Sequence, residues 1–348
     1  MTIYEREVLS PPESLVTNGI CNFGTFNGPI KNINILSVEG LLEIPAPKIY
    51  KNFRLKEWQA FQAGNKNIFM MGAIYNTKVI GLVFLSIYDI EKKRRYLIKK
   101  LVPVCKIKIC NGMCDSQSKY TSDDLSIKIR NRLLNNRVFI EAKHSKNSHN
   151  PEIDLKLECF HITQPIVICH PLGKNRPLYS HKALMPVKGI LRIDNEEINF
   201  DKSNAFTTID DHKGYYPKTL KYNWVTGMGH LPDGTLTGFN LTNNQVVNQE
   251  KYNENCLWIN GKMNALGPIR IKRDYDDREV WHIKDKYCMV DLNFYPKVKN
   301  NIKFELMHMY CDYEGPFGTF EGCIRGPDNN IVKVDSFWGM GEKKIYRI

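Results

Sequence analysis

Long apolar stretches are missing from this sequence. The longest, Val79 to Tyr88, is about half of the ~20 residues that a membrane-spanning helix needs. The N-terminus, Met1-Thr2-Ile3-Tyr4-Glu5-Arg6-Glu7, lacks the basic-then-apolar order of an export signal. A secreted or membrane-spanning protein is therefore disfavoured, and a cytoplasmic location is expected. In that compartment the ten cysteines read as reduced thiols. Cys-x-x-Cys pairs are also absent: Cys105, Cys110 and Cys114 stand five and four apart, with His161, Cys169 and His170 further on, so no metal is expected. Phosphate loops, nucleophile elbows and dinucleotide fingerprints are missing too. Gly227-Met228-Gly229 has no third glycine and precedes a turn rather than a helix. No cofactor is expected, and a Ser-His-Asp hydrolase has no support. Helical periodicity is scarce as well. Its best candidate, Leu55 to Phe61, is short and equally compatible with a strand, which argues against a doubly wound α/β fold.

What is present is a chain of 348 residues, 42% hydrophobic and 11% aromatic, enough for a sizeable core and against disorder. Its length suits two domains or one large β-rich unit. Lys and Arg number 49 against 37 Asp and Glu, a net charge of +12. Eight of the basic residues fall between Lys92 and Cys110, where no acidic residue occurs. Apolar residues interrupt that stretch as in a strand, so it reads as the solvated face of a β-ribbon. Zinc-finger, helix-turn-helix and aromatic-glycine RNA signatures do not accompany it, and no nucleic-acid partner is expected. The charge serves solubility or attracts an anionic substrate.

Runs of β-branched and aromatic residues, punctuated by Gly, Pro, Asn and Asp, dominate the rest. Leu220 to Thr226 alternates, Pro232-Asp233-Gly234 turns, and Thr235 to Thr242 returns. Asn260-Gly261, between Cys256–Ile259 and Lys262–Leu266, is a two-residue hairpin signal. Further strands are expected at Glu279–Ile283, Met289–Phe294, Ile302–Asp312, Phe317–Arg325 and Ile331–Trp338, the last pair turning at residues 326–330. The first half is less regular, with strands expected at Asn67–Tyr75, Val79–Asp89, Arg94–Lys108, Leu125–Arg130, Arg137–Ala142 and Ile153–Phe160. Such meanders close most simply into barrels, because closure removes exposed edges. The predicted fold is all-β, two packed antiparallel barrels, with domains at 1–200 and 201–348.

The densest cluster of reactive side chains is Asp210-Asp211-His212-Lys213-Gly214-Tyr215-Tyr216-Pro217. A histidine beside carboxylates and a phenol supplies a group that titrates near neutrality, an orienter and a hydrogen-bond donor. The same residues also suit an ordinary polar turn. In the catalytic reading His212 is the general acid/base, Asp211 its orienter or the proton donor, and Tyr216 a donor to developing negative charge. Trp224 and Trp258 form an aromatic wall able to stabilise a cation. Asn240, Glu254 and Asn255 hold polar groups of the substrate, with Glu254 a further catalytic candidate. Asn253-Glu254-Asn255 equally suits bonding to a loop backbone, and Asn240 needs partners if it faces a barrel interior.

These motifs resemble family 2804 of the domains of unknown function. The resemblance rests on Asp211-His212-Lys213-Gly214-Tyr215-Tyr216-Pro217, Tyr222-Asn223-Trp224-Val225-Thr226-Gly227, Gly238-Phe239-Asn240-Leu241-Thr242 and Asn253-Glu254-Asn255-Cys256-Leu257-Trp258. Pro316-Phe317-Gly318 and Gly339-Met340-Gly341-Glu342 complete it. That family is distantly similar to lipocalin-like proteins that include carotenoid hydratases, tocopherol cyclases and pericyclase-type enzymes. The resemblance implies two calycin-like barrels and no settled reaction. The leading expectation is a cofactor-independent lyase or isomerase acting on a hydrophobic or ring-bearing small molecule by hydration, cyclisation or isomerisation. A lipid or pigment carrier is one alternative. Another is a glycoside-processing enzyme using two of Asp211, Glu254, Asp291 and Glu342, about 5–9.5 Å apart.

Overall fold

Some strands alternate strictly between apolar and polar side chains, while others, such as Ile68–Asn76 and Ile166–Pro171, are buried on both faces. Leu125–Arg132 shows the alternation plainly: Leu125, Ile127, Ile129 and Asn131 are buried while their neighbours are half-exposed. In the computed structural model, which describes residues 3–274, 279–306, 309–326 and 328–347, such strands form two compact, barrel-like antiparallel units. One comprises residues 10–169 and 174–215; the other comprises the N-terminal segment to Leu9, residues 170–173, and the chain from Tyr216 onward. The expected boundary at 200/201 thus differs from the division at Tyr215/Tyr216. The Phe206–Gly214 strand, given by the sequence to the C-terminal half, finds its pairing partners in the first unit.

In the first unit, Lys56–Gly64, Ile68–Asn76, Gly81–Asp89 and Arg94–Val102 form a meander of consecutive hairpins. Ser116–Thr121, Leu125–Arg132, Arg137–His144 and Ile153–Phe160 form a second. Pro177–Ile193 and Phe206–Gly214 join the two. Pro177–Ile193 is shared end to end, its first part pairing with Phe206–Gly214 and its last part with Ile153–Phe160. The change of partner falls between Pro186 and Val187; Gly189, just beyond it, sits tightly against Ile153–Phe160. Its φ is +150°, and a Cβ there would lie 2.1 Å from the Lys156 carbonyl oxygen. At the ends of the sheet, Gly81 approaches Ile107 and Val102 so closely that the barrel nearly shuts. Its interior is packed by Phe61, Ile74, Leu85, Ile127, Ile140 and Ile209.

The second unit is a half-barrel. Thr219–His230 lies between Leu236–Asn243 and the long Ile331–Arg347 strand, and Phe317–Arg325 and Val290–Val298 follow. Val225, Phe239, Leu241, Phe294 and Phe320 fill its concave side. Asn260 and Gly261 take φ of +52° and +73°, the left-handed pair that a tight hairpin requires.

Several expectations change. Leu55 to Phe61 belongs to the Lys56–Gly64 strand, and the helix lies earlier at Lys48–Arg54. Pro103 ends the Arg94–Val102 strand, and a 3-10 turn at Val104–Lys106 separates it from Ile107–Lys108. The expected Ile302–Asp312 strand is a hairpin of Asn301–Leu306 and Met309–Glu314; Met307 and His308, like Pro327 of the last expected turn, lie outside the described residues.

Candidate functional site

Phe206–Gly214 carries titratable groups on both faces, because successive side chains of a strand point to opposite sides. Ile209 belongs to the barrel core, so Asp211 and Lys213, two and four residues on, share its inward face. Asp210 and His212 share the outward face. Asp211 therefore cannot orient His212, as the sequence reading had it; the carboxylate on the histidine's side is Asp210.

Pairing brings the outward residues their partners. His212 stands opposite Trp58 on one side and Ser180 on the other, and Asp210 opposite Ala60 and Lys182. The His212 and Trp58 rings stack, with centroids 4.0 Å apart and planes 7° from parallel. Tyr75 extends this stack at 5.2 Å from Trp58. Asp210 accepts hydrogen bonds from Trp58 Nε1 at 3.3 Å and from Ser180 Oγ at 3.1 Å. Lys182 Nζ lies 3.4 Å from the Asp210 carboxylate and donates to Ser180 Oγ at 3.0 Å. His212 Nδ1 lies 3.8 Å from Asp210 Oδ1. Burial works to raise the Asp210 carboxyl, but the Lys182 ammonium outweighs it with help from His212 and Trp58, and the group is held well below the ordinary carboxylate range. His212 and Lys182 are each only 5% exposed. The result is an imidazole between an indole face and a fixed anion, beside a buried cation.

The inward face is different. Lys213 Nζ donates to Asp211 Oδ1 at 2.9 Å, and both side chains are buried. Cys110 Sγ donates to the same oxygen at 3.3 Å. Burial lifts Asp211 above the usual carboxylate range against the opposing pull of Lys213. Burial also pushes the Cys110 thiol up to about 12. Gln59 donates to Asn131 at 2.9 Å, and the His161 and His181 Nε2 atoms meet at 3.1 Å. Burial holds His161 down to about 4, and burial with the neighbouring His161 holds His181 well below the ordinary imidazole range. This is a barrel core with a polar end, its groups bonded mainly to one another, with Gln59 Oε1, His181 Nδ1 and Asp211 Oδ2 left without a hydrogen-bond partner among the described residues.

The second unit has its own polar and aromatic face. Phe239 and Leu241 point into the half-barrel core, so Asn240 faces the other side of the sheet, where it is also buried, at 1% exposed. There it accepts from Trp224 Nε1 at 2.6 Å and donates to the Glu254 carbonyl at 2.7 Å. Tyr222 donates to Glu342 Oε1 at 2.7 Å. Trp258, 1% exposed, and Glu254, 4% exposed, are buried nearby in sequence and pairing. Asn255 clamps loop backbone: its Oδ1 accepts from Thr242 N at 2.6 Å and its Nδ2 donates to the Gly267 carbonyl at 2.8 Å. Asp291 is exposed and ion-paired with Lys284 at 3.1 Å. Tyr216 is half-buried in the coil beyond Gly214.

The structure thus gathers His212 with Trp58, Ser180, Lys182 and Asp210, of which the sequence reading had chosen His212 alone. Ser180-x-Lys182 and Asp210-x-His212 each place polar groups at alternate positions of a strand, a legible signal once the strand is known. Among the described residues no three His, Cys, Asp or Glu side chains converge to hold a metal.

A family model described as Domain of unknown function (DUF2804) matches residues 5–347. No curated protein sequence matches the chain. Among solved structures, CghA in complex with Sch210972 is similar in fold, at 10% identity and a TM-score of 0.52, over 84% of this chain and 88% of that one. Kievitone hydratase from Nectria haematococca is similar over the same shares, at 12% identity and a TM-score of 0.51.

Proposed function

We propose, for a chain that belongs to the DUF2804 family, a cofactor-independent hydratase or cyclase acting on a hydrophobic or ring-bearing small molecule. The observation that carries this reading is the imidazole of His212, stacked on Trp58 and set beside the ionised Asp210. The likeness in fold to a protein named a hydratase supports it.

A fixed carboxylate near an imidazole stabilises the imidazolium, so His212 can hold a proton in a water-poor setting. In a hydration, imidazolium donates that proton to one carbon of a substrate double bond, leaving positive charge on the other. Trp58, with His212 on one face and Tyr75 on the other, holds the imidazole in place for that transfer. Water then forms the C–O bond at the cationic carbon, and its surplus proton returns to His212. Both proton and histidine are regenerated, so no co-reactant other than water is consumed. In a cyclisation the same proton starts the reaction, and a substrate π-bond replaces water as nucleophile. Asp210 is then a positioning residue for His212, and Lys182 holds Asp210 in its charged form. Separately, and taking the second unit by itself, Trp224, Trp258 and Asn240 are proposed contacts for a ligand held by that unit, with Glu254 and Tyr216 as secondary candidates.

The test is a screen of unsaturated, ring-bearing compounds in ¹⁸O-labelled water, read by mass spectrometry. Turnover is expected to incorporate label, or to yield a ring isomer, and to fall by about 10²–10⁴ in His212→Ala. Unchanged turnover in that variant overturns the assignment. A lipid or pigment that co-purifies unaltered, with no turnover of any compound, favours a carrier.

A further inference from the structure

The first unit carries an exposed apolar patch that its core does not explain. None of the Lys48–Arg54 helix is buried. Ile49 and Phe53, one turn apart, are 80% and 53% exposed. Lys56 Nζ donates to the carbonyls of both Phe53 and Thr77, which ties the helix end to the turn between Asn76 and Gly81. Val79 and Ile80 at that turn are 67% and 41% exposed. Gly81 and Leu82 pair in turn with Val102 and Leu101, and Leu101 is 66% exposed on the outward face of its edge strand.

Single exposed apolar side chains are ordinary; five from three linked segments are not. The charge around them is one-sided. Residues 48–57, 76–82 and 99–108 hold nine Lys or Arg and a single acid, Glu57, which is paired with Lys78 at 2.6 Å; from outside these segments Asp124 pairs with Lys100. Among the described residues, Arg54, Lys56, Lys99 and Lys106 have no carboxylate partner. The crowding shows in Lys56, pushed down to about 8 by burial first and then by Arg54 and Lys78. Apolar side chains ringed by unneutralised cations are the composition of a surface that inserts shallowly among anionic headgroups.

We propose that this patch docks the protein on an anionic membrane surface, with Phe53, Val79, Ile80 and Leu101 entering the interface and Arg54, Lys99 and Lys106 meeting lipid phosphates. It is independent of the reaction at His212. It gives the block of basic residues between Lys92 and Cys110 a role beyond solubility.

Co-sedimentation of the full chain with phosphatidylcholine vesicles, with and without phosphatidylserine, tests it. Binding is expected only with phosphatidylserine and is expected to weaken with added salt. Val79→Asp with Leu101→Asp should abolish it. Arg54→Gln and Lys106→Gln should each lower it roughly five-fold. Phe53→Ser, on a separate element, serves should the strand variants fail to fold by circular dichroism. Absence of binding, equal binding to both vesicle types, or binding unaffected in Phe53→Ser and the double variant overturns the proposal. So does a wild-type dimer that these variants convert to monomer, which would make the patch a contact between copies.

Discussion

Lys213→Met should be among the most damaging single substitutions in the first unit. Asp211 is 0% exposed and Lys213 3%, and the ammonium is the cation bonded to that carboxylate at 2.9 Å. Removing it strands a buried carboxylate, which costs about 3–5 kcal/mol. In a unit of this size that corresponds to a fall in melting temperature of roughly 6–20 °C. The sign with pH follows from the raised Asp211 pKa. A carboxyl with a folded pKa above its unfolded one is favoured in its protonated form. The loss in Lys213→Met should therefore be smallest at acid pH and grow as pH rises past the raised wild-type Asp211 value toward the still higher one that burial imposes without Lys213. Asp211→Leu combined with Lys213→Met removes both charges and should recover most of the stability, because a buried pair replaced by apolar groups is close to neutral. Urea unfolding can be followed by fluorescence of Trp58, the first unit's single tryptophan. A double variant as unstable as the two single variants added together would refute the argument. So would a loss below about 1 kcal/mol in Lys213→Met, since that is the worth of an exposed pair.

Two further outcomes follow from the same strand and its neighbours. Asp210 is held below the usual carboxylate range, so its stabilising contribution is present above the ordinary aspartate pKa and lost as pH falls through the depressed one; Asp210→Asn should flatten acid unfolding in that window, and an unaltered acid limb by circular dichroism would contradict this. Native alkylation with iodoacetamide at mildly alkaline pH should label exposed Cys105 and Cys288 and spare Cys110, whose buried thiol sits near 12; peptide mass spectrometry showing Cys110 labelled as fast as Cys105 would dispose of the buried network.

Local chemistry made much of the architecture legible. Alternation over Leu220–Thr226, turn residues at Pro232-Asp233-Gly234 and the hairpin at Asn260-Gly261 identify strands and their order, because they depend on side-chain period and backbone φ alone. The Leu55–Phe61 stretch was ambiguous for the reason that a short apolar run fits either period. The parity that separates Asp210 and His212 from Asp211 and Lys213 was also present in the chain. Which face is the core was not, since both faces of Phe206–Gly214 carry a carboxylate and a base.

What the sequence by itself determined, then, was an all-β chain with a reactive cluster at residues 210–217 and no long apolar helix. The tertiary structure alone decided the partners of that cluster. Phe206–Gly214 pairs with Lys56–Gly64, far earlier in the chain, and with Pro177–Ile193. That non-local register sets Trp58, Ser180 and Lys182 around Asp210 and His212, and it turns Asp211 inward to Lys213. Register over such separations is set by which faces bury apolar surface together, a property of the assembled sheet rather than of any segment in it.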